Sequence, residues 1–243
     1  MTPSLLDPLR ACAREIGEIV QSGRREGFSG LRASQYRLDI TADEIALRVL
    51  LGAGFRVVSE ESGVSGSGEL TVVVDPIDGS TNCDHGVPFF ATSLAVLRGG
   101  ELVAALVMNQ ATGATYEAEK GGGAFRDGTL ISPSGQTDIS RAVVSFSGLP
   151  SRHLGWAQYR SLGAASLEIC LVADGSLDVF SVAQQSTLNP WDYLGGLLVV
   201  QEAGAVASEY EGEPLVTSER VHRRPVFAST PELLTLFQRT GTI

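Results

Sequence analysis

Apolar residues recur at three- and four-residue steps from Asp7 to Ser22, where Leu9, Ala13, Ile16 and Val20 form one stripe, and this spacing predicts an amphipathic helix. A second helix is predicted from Thr41, with Ile45, Ala46, Val49 and Leu50 on its buried side, Thr41 or Asp43 near its cap, and Gly52-Ala53-Gly54 closing it. Between them, Gly23 to Gln35 is rich in Gly, Arg and Ser and reads as a mobile connection. The period then shortens. Phe55 to Val58 and Leu70 to Val74 are β-branched or apolar runs, the second of the kind that fills a strand covered on both faces. Ala91 to Arg98, Glu101 to Met108 and Thr115 to Glu119 predict an antiparallel meander with Gly99-Gly100 and Thr112-Gly113 at the turns. Gly63 to Glu69 reads as a Gly/Ser loop. Gly121-Gly122-Gly123 reads as a hairpin connection, because no strand-to-helix context with a following Lys makes it a phosphate loop.

Ser, Pro, Gly and Gln cluster between Gly128 and Asp138, which divides the chain into an N-terminal α+β half, 1–130, and a C-terminal α/β half, 131–243. In the second half Arg141 to Ser147, Gln158 to Leu162 and Leu177 to Val182 are expected as strands, and Ala165 to Ala173 and Trp191 to Ala203 as apolar helices. Val206, Val216 and Val226-Phe227-Ala228 suggest edge strands, and Pro231 to Arg239 a closing helix.

Composition narrows the class. A chain of 243 residues can bury a sizeable core, and 18 Lys and Arg against 28 Asp and Glu give a net charge of −10, which argues against nonspecific binding to nucleic acid or anionic membranes. No apolar stretch reaches the length of a membrane span and no export-type leader is evident, so a cytoplasmic protein is expected. Cys12, Cys83 and Cys170 lack paired metal spacing, and an odd number argues against a complete disulfide framework. His85, His153 and His222 form no metal-ligand pair, and Ser80 and Ser93 have no Ser-His-Asp context. Trp156 and Trp191 read as packing residues.

The candidate chemistry sits at the end of the apolar strand, in Leu70 to Asn82. Asp75 and Asp78, with Pro76 holding the chain between them, are expected to point at one small volume, where like charges raise each other's pKa unless a cation separates them. Hard oxygen ligands suit Mg²⁺, Mn²⁺ or Ca²⁺. Gly79-Ser80-Thr81-Asn82 reads as a tight turn into a helix whose first N–H groups face a phosphate. A lone pair of turn aspartates would be unremarkable, but Ser59-Glu60-Glu61-Ser62 and Pro190-Trp191-Asp192 add carboxylates at two more element ends. Glu60 is the preferred ligand of its pair, with Glu61 the alternative, since adjacent residues of an extended chain point to opposite sides.

These residues resemble the inositol monophosphatase family over nearly the whole chain. Its first signature is matched by Asp75-Pro76-Ile77-Asp78-Gly79-Ser80-Thr81-Asn82, followed by Gly86-Val87-Pro88-Phe89 and Ser93-Leu94-Ala95. Its second is matched by Trp191-Asp192-Tyr193-Leu194-Gly195-Gly196 and Gln201-Glu202-Ala203-Gly204-Ala205, with Met108-Asn109, Gly122-Gly123-Ala124-Phe125 and Gly163-Ala164-Ala165 between. The resemblance implies an α/β fold, a layered αβαβα sandwich, and a homodimer. It implies two or three Mg²⁺ ions, with Mn²⁺ an alternative and Li⁺ and Ca²⁺ inhibitory. The ligands would be Glu60, Asp75, the Ile77 carbonyl, Asp78 and Asp192, with Gly79, Ser80 and Thr81 holding phosphate. Ser80 and Glu60, with Asp43 or else Asp39 as a further acid, would orient a water. Gly163, Ala164 and Gln185 would meet the substrate, Gln185 standing where inositol-directed members often carry a glutamate. The implied activity is hydrolysis of a small polyol or sugar phosphate, myo-inositol 1-phosphate first. Histidinol phosphate, fructose 1,6-bisphosphate and 3′-phosphoadenosine 5′-phosphate come next. A non-catalytic metal- or phosphate-binding regulator is the rival of another class, and a nuclease or polymerase is disfavoured by the acidic charge.

Overall fold

A strand that is apolar at every position needs cover on both faces, and the period-two alternation of its side chains decides which cover each residue meets. A computed structural model describes residues 4–22, 27–31 and 35–241. The chain begins with α1 (Leu6–Ser22) and α2 (Arg37–Gly52), then β1 (Arg56–Ser59), β2 (Gly63–Ser65), β3 (Leu70–Asp78) and the short α3 (Ser80–His85). With β4 (Ala91–Arg98), β5 (Glu101–Asn109), β6 (Thr115–Glu119), β7 (Ala124–Arg126) and β8 (Thr129–Leu130), the strands form one sheet ordered β2-β1-β3-β4-β5-β6-β7-β8. Next come β9 (Val143–Ser147), β10 (Gln158–Arg160), α4 (Ala165–Ala173), β11 (Val179–Val182) and α5 (Pro190–Ala203). β12 (Val206–Glu209), β13 (Pro225–Ala228) and α6 (Pro231–Thr240) complete the chain, and the second sheet runs β10-β9-β11-β13-β12.

Alternation sorts the core into layers. Val72, Val74, Leu94, Val96, Ala104 and Leu106 pack with Leu9, Ile16 and Val20 of α1 and Ala46 and Leu50 of α2. Their neighbours Val73, Ala95, Ala105 and Val107 pack on the other face with Ile169 of α4 and Leu194, Leu197 and Val200 of α5. Phe180, Val182 and Phe227 of the second sheet join that same middle layer, whereas Val144, Phe146, Val179, Val226 and Ala228 turn outward onto Leu233 and Phe237 of α6. The result is the expected αβαβα sandwich. Because α5 lies between two sheets, nearly all of it is buried and it carries no polar stripe. Gly195 and Gly196 permit the close approach: a Cβ at the first would lie 2.6 Å from Ser93 Oγ, and at the second 2.6 Å from Ile169 Cγ2.

Three details depart from the pattern-based expectation. α2 starts at Arg37, not Thr41, because Asp39 accepts a hydrogen bond from the Tyr36 N–H at 2.8 Å and caps the helix from its own first turn. The Gly/Ser loop contains β2, which pairs antiparallel with β1 although Gly63-Val64-Ser65 has little strand propensity. β13 is an inner strand between β11 and β12, fully buried, and Val216 is in no strand. Most of the 23–35 connection, including Arg32, lies outside the described residues.

Candidate active site

The parallel pair β1 and β3 ends on one edge of the first sheet, with Ser59 opposite Val74, so the residues that follow, Glu60 and Asp75, emerge together. Asp192 reaches them from the first turn of α5. One carboxylate oxygen from each of Glu60, Asp75 and Asp192 lies within 4.8 Å of the others, close enough for a single cation to touch all three. A cavity of about 130 Å³ adjoins this trio, lined by Gln35, Asp39, Glu60, Glu61, Asp75, Pro76, Ile77, Ser80 and Arg220. A larger cavity of about 430 Å³ at Leu5, Pro8 and Phe55 shares none of these residues.

The electrostatics call for positive charge. Burial pushes the Glu60 carboxyl up to about 7, with the charges of Glu61 and Asp78 adding to it. Burial, then Glu60 and Asp78, hold Asp75 well above the carboxylate range, and burial and the same two neighbours do so for Asp192. Asp39 is raised by burial to about 7, although the Tyr36 N–H works against the shift. Its Oδ1 is buried with no hydrogen-bond partner among the described residues. Three clustered carboxylate donors, Asp75 buried and Glu60 and Asp192 half-buried, with the unpartnered Asp39 Oδ1 nearby, are the ligand chemistry of a hard divalent cation, so the residues present fit Mg²⁺.

Asp39 and Asp192 share one construction. Each is the third residue of its helix and gives one oxygen to the N–H three residues earlier, Asp192 accepting from Asn189 at 2.6 Å, which leaves the other oxygen for the site. Asp43 is one turn deeper in α2, where its carboxylate accepts from the Ser59 hydroxyl. The later helix start expected from the sequence would have put Asp43 at the cap. The true start gives that place to Asp39, which lines the cavity with Ser80, and Asp43 instead braces the end of β1 beside Glu60.

Asp78 also departs from expectation. The pairing of β3 with β4 shifts register between Asp75 and Asp78, and the two carboxylates diverge. Asp78 Oδ1 accepts from Ala165 N–H at 3.2 Å, and Oδ2 from Ser166 N–H at 2.7 Å and Ser166 Oγ at 2.5 Å. Burial raises its pKa to about 6 against the pull of those donors, with the charge of Glu168 adding to the rise. Asp78 and Asp192 line a second cavity of about 240 Å³ with Ser147, Gly148, Ser161, Gly163, Ala164 and Glu168. Gln185 is exposed and is not among its lining residues.

Gly79 caps α3 in the left-handed region, φ 84°, and a Cβ there would lie 2.8 Å from the Gly163 carbonyl oxygen. Asn82 Nδ2 donates to the carbonyls of Phe89 and Leu162, both at 2.7 Å, which ties the 161–164 turn to α3. Ser80 and Ile77 line the acidic cavity, and Thr81 is exposed, its hydroxyl accepting from Tyr36 Oη at 3.3 Å.

Two residues escaped the sequence reading. Glu168 carries a sequence signal, as the one charge in the apolar run of α4; buried, it accepts from the Ser145 hydroxyl and from Leu162 and Gly163 N–H at 3.0 and 3.1 Å. Arg220 carries none, since it lies in an irregular segment between β12 and β13.

The inositol monophosphatase family model matches residues 5–239. The chain belongs to that family. As such it is a phosphoric monoester hydrolase. It is 33% identical over 224 residues to an inositol-1-monophosphatase of Rhizobium meliloti (strain 1021), covering 84% of this chain and 81% of the relative. It is 34% identical over 182 residues to a fructose-1,6-bisphosphatase/inositol-1-monophosphatase of Archaeoglobus fulgidus, covering 73% and 71%. A crystal structure described as an inositol monophosphatase–fructose 1,6-bisphosphatase superposes with a TM-score of 0.86 at 28% identity, covering 98% of this chain and 99% of that one. Among the described residues, no helix of this family member is long and apolar enough to cross a membrane.

Proposed function

We propose that this family member is a Mg²⁺-dependent phosphatase of a small polyol or sugar phosphate monoester, with myo-inositol 1-phosphate the first candidate. The observation that carries the reading is the trio Glu60, Asp75 and Asp192 within 4.8 Å, of which Glu60 and Asp75 line one acidic cavity with Ser80 and Asp192 lines the cavity beside it. These three would hold the ion, with the Ile77 carbonyl and Asp78 Oδ1, which accepts one bond, as further donors. When bound, Mg²⁺ would supply charge neutralisation for the phosphate and a lowered pKa for an attacking water. Asp39, with its unpartnered Oδ1, would take the proton of that water, and Ser80 Oγ would orient it. The N–H groups of Gly79, Ser80 and Thr81 would donate to phosphate oxygens.

The leaving group would occupy the second cavity, whose Ser147, Ser161 and Glu168 give it the polar wall a hydroxyl-rich alcohol requires. The names of the relatives, inositol-1-monophosphatase for one and fructose-1,6-bisphosphatase/inositol-1-monophosphatase for the other, support this range of substrates. The test is a comparison of kcat/KM with Mg²⁺ for myo-inositol 1-phosphate, histidinol phosphate, fructose 1,6-bisphosphate and 3′-phosphoadenosine 5′-phosphate. A preference for the nucleotide of more than about tenfold, roughly 1.4 kcal/mol, would remove the inositol assignment and leave the metal chemistry intact. No phosphate release from any of the four, with metal binding confirmed, would favour a binding protein.

A further inference from the structure

Among the described residues, the acidic cavity has one basic side chain in its wall, Arg220. It enters from the C-terminal half of the chain, in the segment between β12 and β13, and is exposed at the rim. Its neighbours in sequence are committed to carboxylates: Arg223 lies 3.8 Å from Glu213, and Arg224 lies 3.0 Å from Glu211. Arg220 forms no ion pair among the described residues, although Asp39, Glu60, Glu61 and Asp75 line the same cavity. Its guanidinium instead lies over the ring of Trp191, 5.2 Å from the centroid. Trp191 is 2% exposed and immediately precedes Asp192, so the platform under the guanidinium is as fixed as the carboxylate trio itself.

A guanidinium keeps its charge at every working pH and presents a planar fork that matches two phosphate oxygens. Stacking on an indole restrains that plane and adds cation–π attraction, which lowers the ordering cost of forming the fork. Its place also has an electrostatic consequence. A fixed positive charge at the wall opposes entry of a divalent cation among the carboxylates, and favours any anion that enters once they are neutralised. We propose that Arg220 is a substrate-binding residue that receives oxygens of the transferred phosphoryl group in this cavity. The proposal rests on the phosphatase reading above.

Removing the charge of Arg220 should move anion and cation affinity in opposite directions, which loss of a merely structural residue would not do. In calorimetric titrations of the intact protein, Arg220→Gln should weaken binding of inorganic phosphate to the Mg²⁺-loaded form by about tenfold, the loss of one charge-assisted contact. The same variant should bind Mg²⁺ as tightly as wild type or more tightly. Arg220→Lys keeps the charge and loses the fork, and should fall between. In turnover, KM should rise more than kcat falls. Unchanged phosphate affinity in Arg220→Gln overturns the proposal, as does a parallel loss of Mg²⁺ and phosphate binding with a lowered melting temperature, which would make Arg220 only a support for Trp191. Failure of the phosphatase reading is separate. It would show as wild-type protein that binds Mg²⁺ and phosphate, with the Arg220 dependence intact, yet releases no phosphate from any monoester.

Discussion

Asp75 and Asp78 stand three residues apart on one strand end, and the structure treats them in opposite ways. Asp78 is met by three donors at the start of α4, so its charge is answered by hydrogen bonds the fold already makes. Asp75 receives one, from Ile77 N–H at 3.1 Å, and otherwise faces Glu60 and Asp192. The first is a tertiary clasp between the end of β3 and the start of α4. The second is a repulsive cluster that the polypeptide leaves unbalanced, and a buried charge cluster left so is an invitation to a cation.

The largest effect should come from removing the unbalanced member. Asp75→Asn should lower Mg²⁺-dependent kcat by about a thousandfold or more, roughly 4 kcal/mol, while leaving the fold intact. The same variant should raise the melting temperature of the metal-free protein, because it relieves repulsion. Near-normal kcat would remove Asp75 from the mechanism. The clasp should behave in reverse: Asp78→Ala leaves the Ala165 and Ser166 N–H groups without their acceptor and should cost about 2–3 kcal/mol of stability in chemical denaturation, with or without Mg²⁺. A stability loss seen in Asp75→Asn and absent in Asp78→Ala would invert the comparison.

Protons can stand in for the cation, and this gives a pH prediction. The folded-state pKa values of Asp39 and Glu60 are raised from 3.8 and 4.5 to about 7, so the stability tied to their protonated forms is complete below the unfolded values and is lost as pH rises through about 7. Asp75 and Asp192 shift in the same direction. Melting temperature measured in chelator should therefore fall between about pH 4.5 and about 7, and added Mg²⁺ should flatten the decline. A metal-free protein whose stability rises across that window would contradict it. The smallest effect is expected outside both cavities: Gln185→Glu should change kcat/KM for myo-inositol 1-phosphate by less than about twofold, about 0.4 kcal/mol, since the side chain is exposed and lines neither cavity.

The sequence was most readable where alternation and burial agree. Leu70 to Val74 announced a strand covered on both faces, and carboxylates at three separate element ends announced the cluster of Glu60, Asp75 and Asp192. It was least readable where a distant partner decides. Asp39 was legible only as an alternative to Asp43, because the start of α2 is set by a tyrosine at a position that favours Ser, Thr, Asp or Asn. The divergence of Asp75 from Asp78 depends on the register against β4 and on the arrival of α4, and spacing on one strand reports neither. β13 looked like an edge because it follows a long irregular segment, yet its three apolar residues are buried between two partners.

The turn at 161–164 is held from two directions, by the buried carboxylate of Glu168 and by Asn82 of the helix that begins at Gly79. Gly79 itself accepts no side chain, since the Gly163 carbonyl stands where one would grow. The wall proposed to hold the alcohol and the corner proposed to hold the phosphate are therefore one mechanical part. Selection for a new substrate acting on this turn would also move the phosphate corner. Variants with altered preference should arise instead from Ser147 and Leu188, which line the same cavity without bearing on α3.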